Sequence, residues 1–123
     1  MAKVLLWMHS NSDAERLKNS LVNIGYEVVI AATMSNLGPL AKAEKQAGAP
    51  IQAVIVEVNH DFEHGKELSA VTCAKEIKPP IKIIALCCCC EGVGQAKNAG
   101  CAEAFLCDQY YVLPLAISHV LTA

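Results

Sequence analysis

Ala53-Val-Ile-Val-Glu57-Val-Asn59 is a run of β-branched and apolar residues with one carboxylate set near its carboxyl end. A strand that is apolar on both faces lies between two layers of helix, the situation of a parallel sheet. A carboxylate fits such a run only where it emerges at the strand's edge to meet solvent, a metal or a ligand. The run therefore predicts a small α/β domain with Glu57 in its mouth.

Working outward from this strand, the chain alternates. Lys3 to Met8 reads as a buried strand, followed by the polar break His9-Ser10-Asn11. Ser12-Asp13-Ala14-Glu15 has the spacing of a capping box, and Ala14, Leu17, Leu21 and Ile24 recur at helical intervals up to Gly25. Glu27 to Ala32 reads as a second strand, and Leu37 to Ala47 as a second helix, with Pro39 tolerated in its first turn and Gly48 at its end. Beyond Glu57 come a polar loop from His60 to Gly65 and a third helix using Leu68, Val71 and Ile77, stopped by Pro79-Pro80. Ile81 to Cys87 is the fourth strand, Val93 to Ala99 a short fourth helix closed by Gly100, and Glu103 to Cys107 the fifth strand. Pro114 opens a last helix whose stripe is Leu113, Ile117, Val120 and Leu121. Five strands alternating with five helices, without linker or repeat, give a doubly wound parallel sheet, because right-handed crossovers allow little else. The functional crevice of such a sheet lies at the carboxyl ends of its strands, near a topological switch point. That draws attention to Met8-His9, Glu57, Cys87-Cys88 and Cys107-Asp108.

Bulk properties narrow the function. At 123 residues the chain suits one domain, 1–123, with a core that needs no staples. Ten basic residues against twelve acidic ones give a formal charge of −2, and no basic stripe offers itself to nucleic acid. The apolar runs are too short to span a membrane, and His9-Ser10-Asn11 follows the first of them too soon for a secretory leader. A cytoplasmic location is expected, and with it reduced cysteines; seven of them, an odd number concentrated in one cluster, do not read as a disulfide framework. No Ser-His-Asp order, Gly-rich phosphate loop or paired carboxylates suggest an enzyme, and no Ser/Thr/Gly flavin-phosphate loop follows the first strand.

Several segments together resemble the receiver domain of bacterial two-component response regulators. They are Ile24-Gly25-Tyr26-Glu27-Val28, Gly65 eight residues after Glu57, Pro80-Ile81-Lys82-Ile83-Ile84-Ala85-Leu86, and Ala99-Gly100-Cys101-Ala102. The resemblance covers nearly the whole chain. It implies a flavodoxin-like sheet of order 2-1-3-4-5 acting as a switch module. The family's chemistry is phosphoryl transfer from a histidine kinase to an aspartate ending the third strand. An acidic pair after the first strand helps to hold Mg²⁺; a Thr or Ser ending the fourth strand and a Lys ending the fifth sense the phosphoryl group. Carried over by position, the phosphoacceptor is Glu57, the acidic pair Met8 and His9, and the switch positions Cys87 and Cys107. Every one departs from the pattern, and Asp108 stands where the family has a proline.

The departures act in one direction. Mg²⁺ wants hard oxygen ligands in octahedral geometry, which a thioether and an imidazole do not supply. Without the metal and the lysine, nothing neutralises the charge of an incoming phosphoryl group. Glu57 is also one methylene longer than aspartate and projects into the space that group would fill. The expectation is a phosphorylation-independent pseudo-receiver that works by binding a protein, through the face of the fourth helix, fifth strand and fifth helix, or as a homodimer. Glu57 then either imitates a phospho-aspartate permanently or is a rim carboxylate without a role.

An alternative from another class is a metal- or thiol-responsive regulator. His9, Glu57, Cys87, Cys90 and Cys107 offer imidazole, carboxylate and thiolate, the ligands of zinc and other soft metals, and Cys87 and Cys90 form a C-x-x-C pair. His60 and His64 lie on the adjacent loop. Against this, cysteine is among the most buried residue types and serves as a small apolar side chain. Packing is the favoured reading, above all for Cys73 and Cys101, which fall in or beside helices.

Overall fold

The computed structural model describes residues 2–58, 69–87 and 90–122, with backbone only at 90, 108, 110, 111 and 122. Its strands are β1 (Lys3–Trp7), β2 (Glu27–Ile30), β3 (Ala53–Val58), β4 (Lys82–Cys87) and β5 (Glu103–Leu106). Its helices are α1 (Asn11–Asn23), α2 (Leu37–Gln46), α3 (Ser69–Lys75), α4 (Cys90–Asn98) and α5 (Leu113–Thr122). Short 3₁₀ turns precede α2 at Met34–Asn36 and α5 at Cys107–Val112. The strands pair in parallel in the order β2-β1-β3-β4-β5, the flavodoxin-like arrangement expected. The chain reverses its progress across the sheet between β1 and β3, so the crevice of this architecture opens at their carboxyl ends.

Alternation along each strand divides the core into two layers. Leu5, Trp7, Val54, Val56, Ile83, Ala85 and Cys87 face Leu37 and Ala41 of α2, Val71 and Ala74 of α3 and Ala96 of α4. Val4, Leu6, Ala53, Ile55, Ile84 and Leu86 face Ala14, Leu17 and Leu21 of α1 and Leu113, Ile117 and Val120 of α5. β3 is central, with five of its six residues wholly buried, Ala53 to Val56 and Val58, and no polar or charged residue is buried among those described. Glu57 takes its turn in the alternation on the α1–α5 side, next to the end of the strand, and is only partly buried there. The carboxylate thus sits at the mouth, as the opening stretch of sequence implies.

Several boundaries differ from the sequence reading for identifiable reasons. β1 ends at Trp7, and Ser10 is already the cap of α1, extended at φ −106° and ψ 125°, with its carbonyl accepting the N–H of Ala14 at 3.0 Å. Its hydroxyl accepts the Asp13 N–H at 3.4 Å, a long bond near the lower end of the roughly 0.5–2 kcal/mol that N-caps contribute. Ser12 is therefore inside the helix rather than its cap. β5 stops at Leu106, because the Leu106 N–H is taken by Oε1 of Gln109 at 3.1 Å, folding the chain into the 3₁₀ turn. Cys107 begins that turn instead of ending the strand. β2 ends at Ile30, two residues early, and α4 begins at Cys90, three residues early.

The C-terminal signals hold. After α1 the Tyr26 N–H reaches the Leu21 carbonyl and the Gly25 N–H that of Val22, the paired bonds of a Schellman cap. This cap needs a left-handed residue, supplied by Gly25 at φ +104°. Gly100, at φ +106°, closes α4 in the same way, and there Lys75 of α3 adds a bond from its ammonium to the Ala99 carbonyl at 2.9 Å. That bond ties two neighbouring helices and satisfies a carbonyl at a helix end.

Candidate functional site

The site is assembled where β1 and β3 end. The segment Met8-His9-Ser10 crosses from β1 into α1, and in crossing it passes the tip of β3. There the backbone N–H of His9 donates to Oε1 of Glu57 at 2.7 Å, a short charge-assisted hydrogen bond. It is the peptide group of His9, not the imidazole, that meets the carboxylate. The imidazole is exposed and stands edge-on to the Trp7 ring at 4.6 Å between centroids. Since Trp7 belongs to the layer facing α2, His9 leans toward the layer opposite to that of Glu57.

Beside Glu57 is a cavity of about 200 Å³ lined by Met8, Asp13, Arg16, Leu17, Glu57, Leu86 and Cys107. Of the residues singled out from sequence, the structure thus brings together Met8, Glu57 and Cys107, with the His9 peptide at the edge. Cys87 is not with them. It is wholly buried in the α2–α3–α4 layer, because it follows Leu86 in the strand and alternation turns it to the other face. Cys90 lies outside the described side chains, and His60, His64 and Gly65 outside the described residues. Among the described residues no three His, Cys, Asp or Glu side chains gather as a metal set.

Two charged residues of the cavity are not evident from sequence. Asp13 and Arg16 stand on the first turns of α1, one helical turn apart with Leu17, and face the cavity with it. Arg16, the only arginine of the chain, pairs with Asp13 at 3.9 Å. Both side chains are at least half exposed, so the pair stabilises little. Glu57 has no ion-pair partner among the described residues; Arg16 pairs with Asp13, and Lys3 with Glu44 and Glu27. The capping frame could have flagged Asp13 and Arg16: once Ser10 is the cap, Asp13, Arg16 and Leu17 line one side of α1.

Among the described residues the donor set does not fit Mg²⁺. Glu57 offers its carboxylate with one oxygen engaged by the His9 peptide, and Asp13 is engaged by Arg16. Met8 supplies sulfur where a hard oxygen is wanted. Two thiols elsewhere, those of Cys101 and Cys73, are shifted toward the protonated form by their surroundings. Burial pushes Cys101 up to about 11, against a smaller opposing pull from Lys75, and burial with the nearby Glu76 carboxylate raises Cys73.

The fold is that of response-regulator receiver domains. No family model matches the chain, and no curated protein matches it in sequence. A response regulator from Thermotoga maritima is similar over 100% of this chain and 99% of its own, at 19% identity and a TM-score of 0.73. The response regulator TrrA of the same organism, in complex with Mg²⁺–BeF, is similar over 98% of this chain and 100% of its own, at 18% identity and a TM-score of 0.69. A proposed pilus assembly protein (CpaE) from Burkholderia thailandensis matches over 100% of both chains, at 13% identity and a TM-score of 0.72. At such identities the shared property is the fold.

Proposed function

We propose that this chain is a signalling module of receiver fold that acts by binding a protein partner and does not take part in phosphotransfer. The observation that carries the reading is the His9 N–H bond to Glu57 at 2.7 Å. The residue at the acidic-pair position gives the phosphoacceptor position a peptide donor, and neither Met8 nor His9 gives a metal an oxygen ligand. Glu57 stands as a fixed anion where a switchable receiver would acquire its charge. Transfer of a phosphoryl group rests on positioning and charge neutralisation, and among the described residues the one cation of the cavity, Arg16, is already paired with Asp13.

The partner surface of the proposal is the face built from α4, β5 and α5. Leu115 on α5 is 76% exposed, and it borders a shallow groove with Phe105 of β5, Val112, Ala116 and His119. An exposed large apolar side chain beside such a groove suits a protein contact, with another chain or with a second copy of this one. Among the described residues no helix is long and apolar enough to cross a membrane. The alternative, a regulator triggered through its thiols or a soft metal, would require Cys87 to turn out of its buried layer to meet Glu57 and Cys107.

Mg²⁺ titration followed by thermal melting tests the reading. The wild-type protein is expected to show no saturable rise in melting temperature through the millimolar range, whereas Met8→Asp combined with His9→Asp acquires one. Saturable stabilisation of the wild type by Mg²⁺ would contradict the proposal.

A further inference from the structure

The cavity beside Glu57 has a chemistry of its own, independent of any partner on the α5 face. Four of its lining residues, Met8, Leu17, Leu86 and Cys107, present apolar or weakly polar surface, and three are charged. Asp13 and Arg16 are turned to each other at 3.9 Å, which leaves Glu57 as the unbalanced charge among the described lining residues. Glu57 accepts one hydrogen bond, from the His9 peptide, and no cation lies within ion-pair distance of it among the described residues. A carboxylate has about four acceptor sites, so most of its capacity is directed elsewhere. The floor of the cavity is thus an anion, and its walls are a thioether, two leucines and a thiol-bearing residue.

We propose that this cavity binds a small alkylammonium ligand, its ammonium on Glu57 and its hydrocarbon chain against Met8, Leu17 and Leu86. Size and charge both select this class. At about 200 Å³ the cavity falls below the roughly 300–1,000 Å³ of pockets for drug-sized molecules, and it holds a chain of a few carbons. A divalent cation would need several more hard oxygens than the lining offers. A neutral alcohol would satisfy the carboxylate less well than an ammonium, whose charge-assisted bonds are about twice as strong. An anion would meet Glu57 at the floor and be repelled. The outer pair contributes to selection too: a bulky or multiply charged amine would have to displace Asp13 from Arg16.

The experiment uses n-butylammonium as probe, with 1-butanol and butyrate as isosteres of other charge, each titrated at neutral pH and followed by thermal melting and calorimetry. Butylammonium is expected to stabilise the protein saturably, and the other two are not. Glu57→Gln is expected to weaken binding by about tenfold or more, about 1.4 kcal/mol, since the bonds to the ammonium lose the charge on their acceptor. Cys107→Lys supplies an ammonium from the cavity's own wall, and is expected to abolish the response while preserving the fold, which guards against a Glu57 variant that fails to fold. The proposal is overturned if butylammonium gives no saturable response, if butanol matches it, or if either variant binds as the wild type does. A negative result leaves the partner-binding reading of the fold standing.

Discussion

Truncating Ile55 to alanine is expected to destabilise the protein by about 2–5 kcal/mol, enough to lower its melting temperature by roughly 8–20 °C. Ile55 is fully buried at the middle of β3, in register with Leu6 of β1 and Ile84 of β4. Its side chain enters the layer that packs α1 and α5 onto the sheet. The substitution removes the transfer free energy of three carbons and leaves a cavity that neighbours held by two strand ladders cannot close. Against a total stability of about 5–15 kcal/mol, a loss of this size is a large fraction of the whole. Leu115→Ala makes the control: at 76% exposure its loss should stay within about 0.5 kcal/mol. Denaturant melts of the two variants check the expectation, and equal losses would contradict the placement of β3 at the centre of the core.

The second large effect concerns Cys101. Its thiol is pushed up to about 11 from an ordinary value of 9.0, because it is buried behind α4 where a thiolate would lose its hydration. At pH 8 the thiolate fraction is then about a hundredfold below that of an ordinary thiol, and the thiolate is the reacting species. Alkylation of the native protein by iodoacetamide, mapped by peptide mass, should modify Cys101 about a hundredfold more slowly than in denaturant. The same shift sets a sign for stability. The folded thiol keeps its proton over a range in which the unfolded one has lost it, so its contribution is complete below pH 9 and is lost as pH rises through about 11. Cys101→Ala should flatten that alkaline slope. Labelling at the rate of the denatured chain would show that Cys101 is not buried in the native protein.

Much of the fold is legible in the sequence because the strands are unambiguous. Ala53 to Val56 can be accommodated only between two layers, and Gly25, Gly48 and Gly100 mark three helix ends, where each takes a positive φ. The first cap is harder to read. Ser10 and Ser12 both suit the position, and the choice depends on where β1 releases the chain, which local chemistry does not dictate. The end of β5 is harder still: a side chain three residues on takes the Leu106 N–H, and strand propensity carries no sign of it.

For the site, position along the chain is legible and facing is less so. Counting from strand ends points to Met8, Glu57 and Cys107, which line one cavity. The same count includes Cys87, whose side chain alternation sends into the opposite layer. The His9 imidazole is exposed, and what His9 brings to the site is a peptide N–H, a group that every residue carries and that sequence does not distinguish. Asp13 and Arg16 enter the cavity through the packing of α1, so they become visible only when the helix is placed on the sheet.

Intact-mass spectrometry after incubation with a small phosphodonor and Mg²⁺ tests the central claim most directly, with a phosphate-accepting receiver carried through the same conditions. The account predicts full modification of that receiver and an unchanged mass for this protein, since Glu57 is held on a peptide N–H and, among the described residues, the cavity presents Met8 and Cys107 where the resemblance would place an acidic residue and a lysine. A phosphorylated species that maps to Glu57 would contradict it.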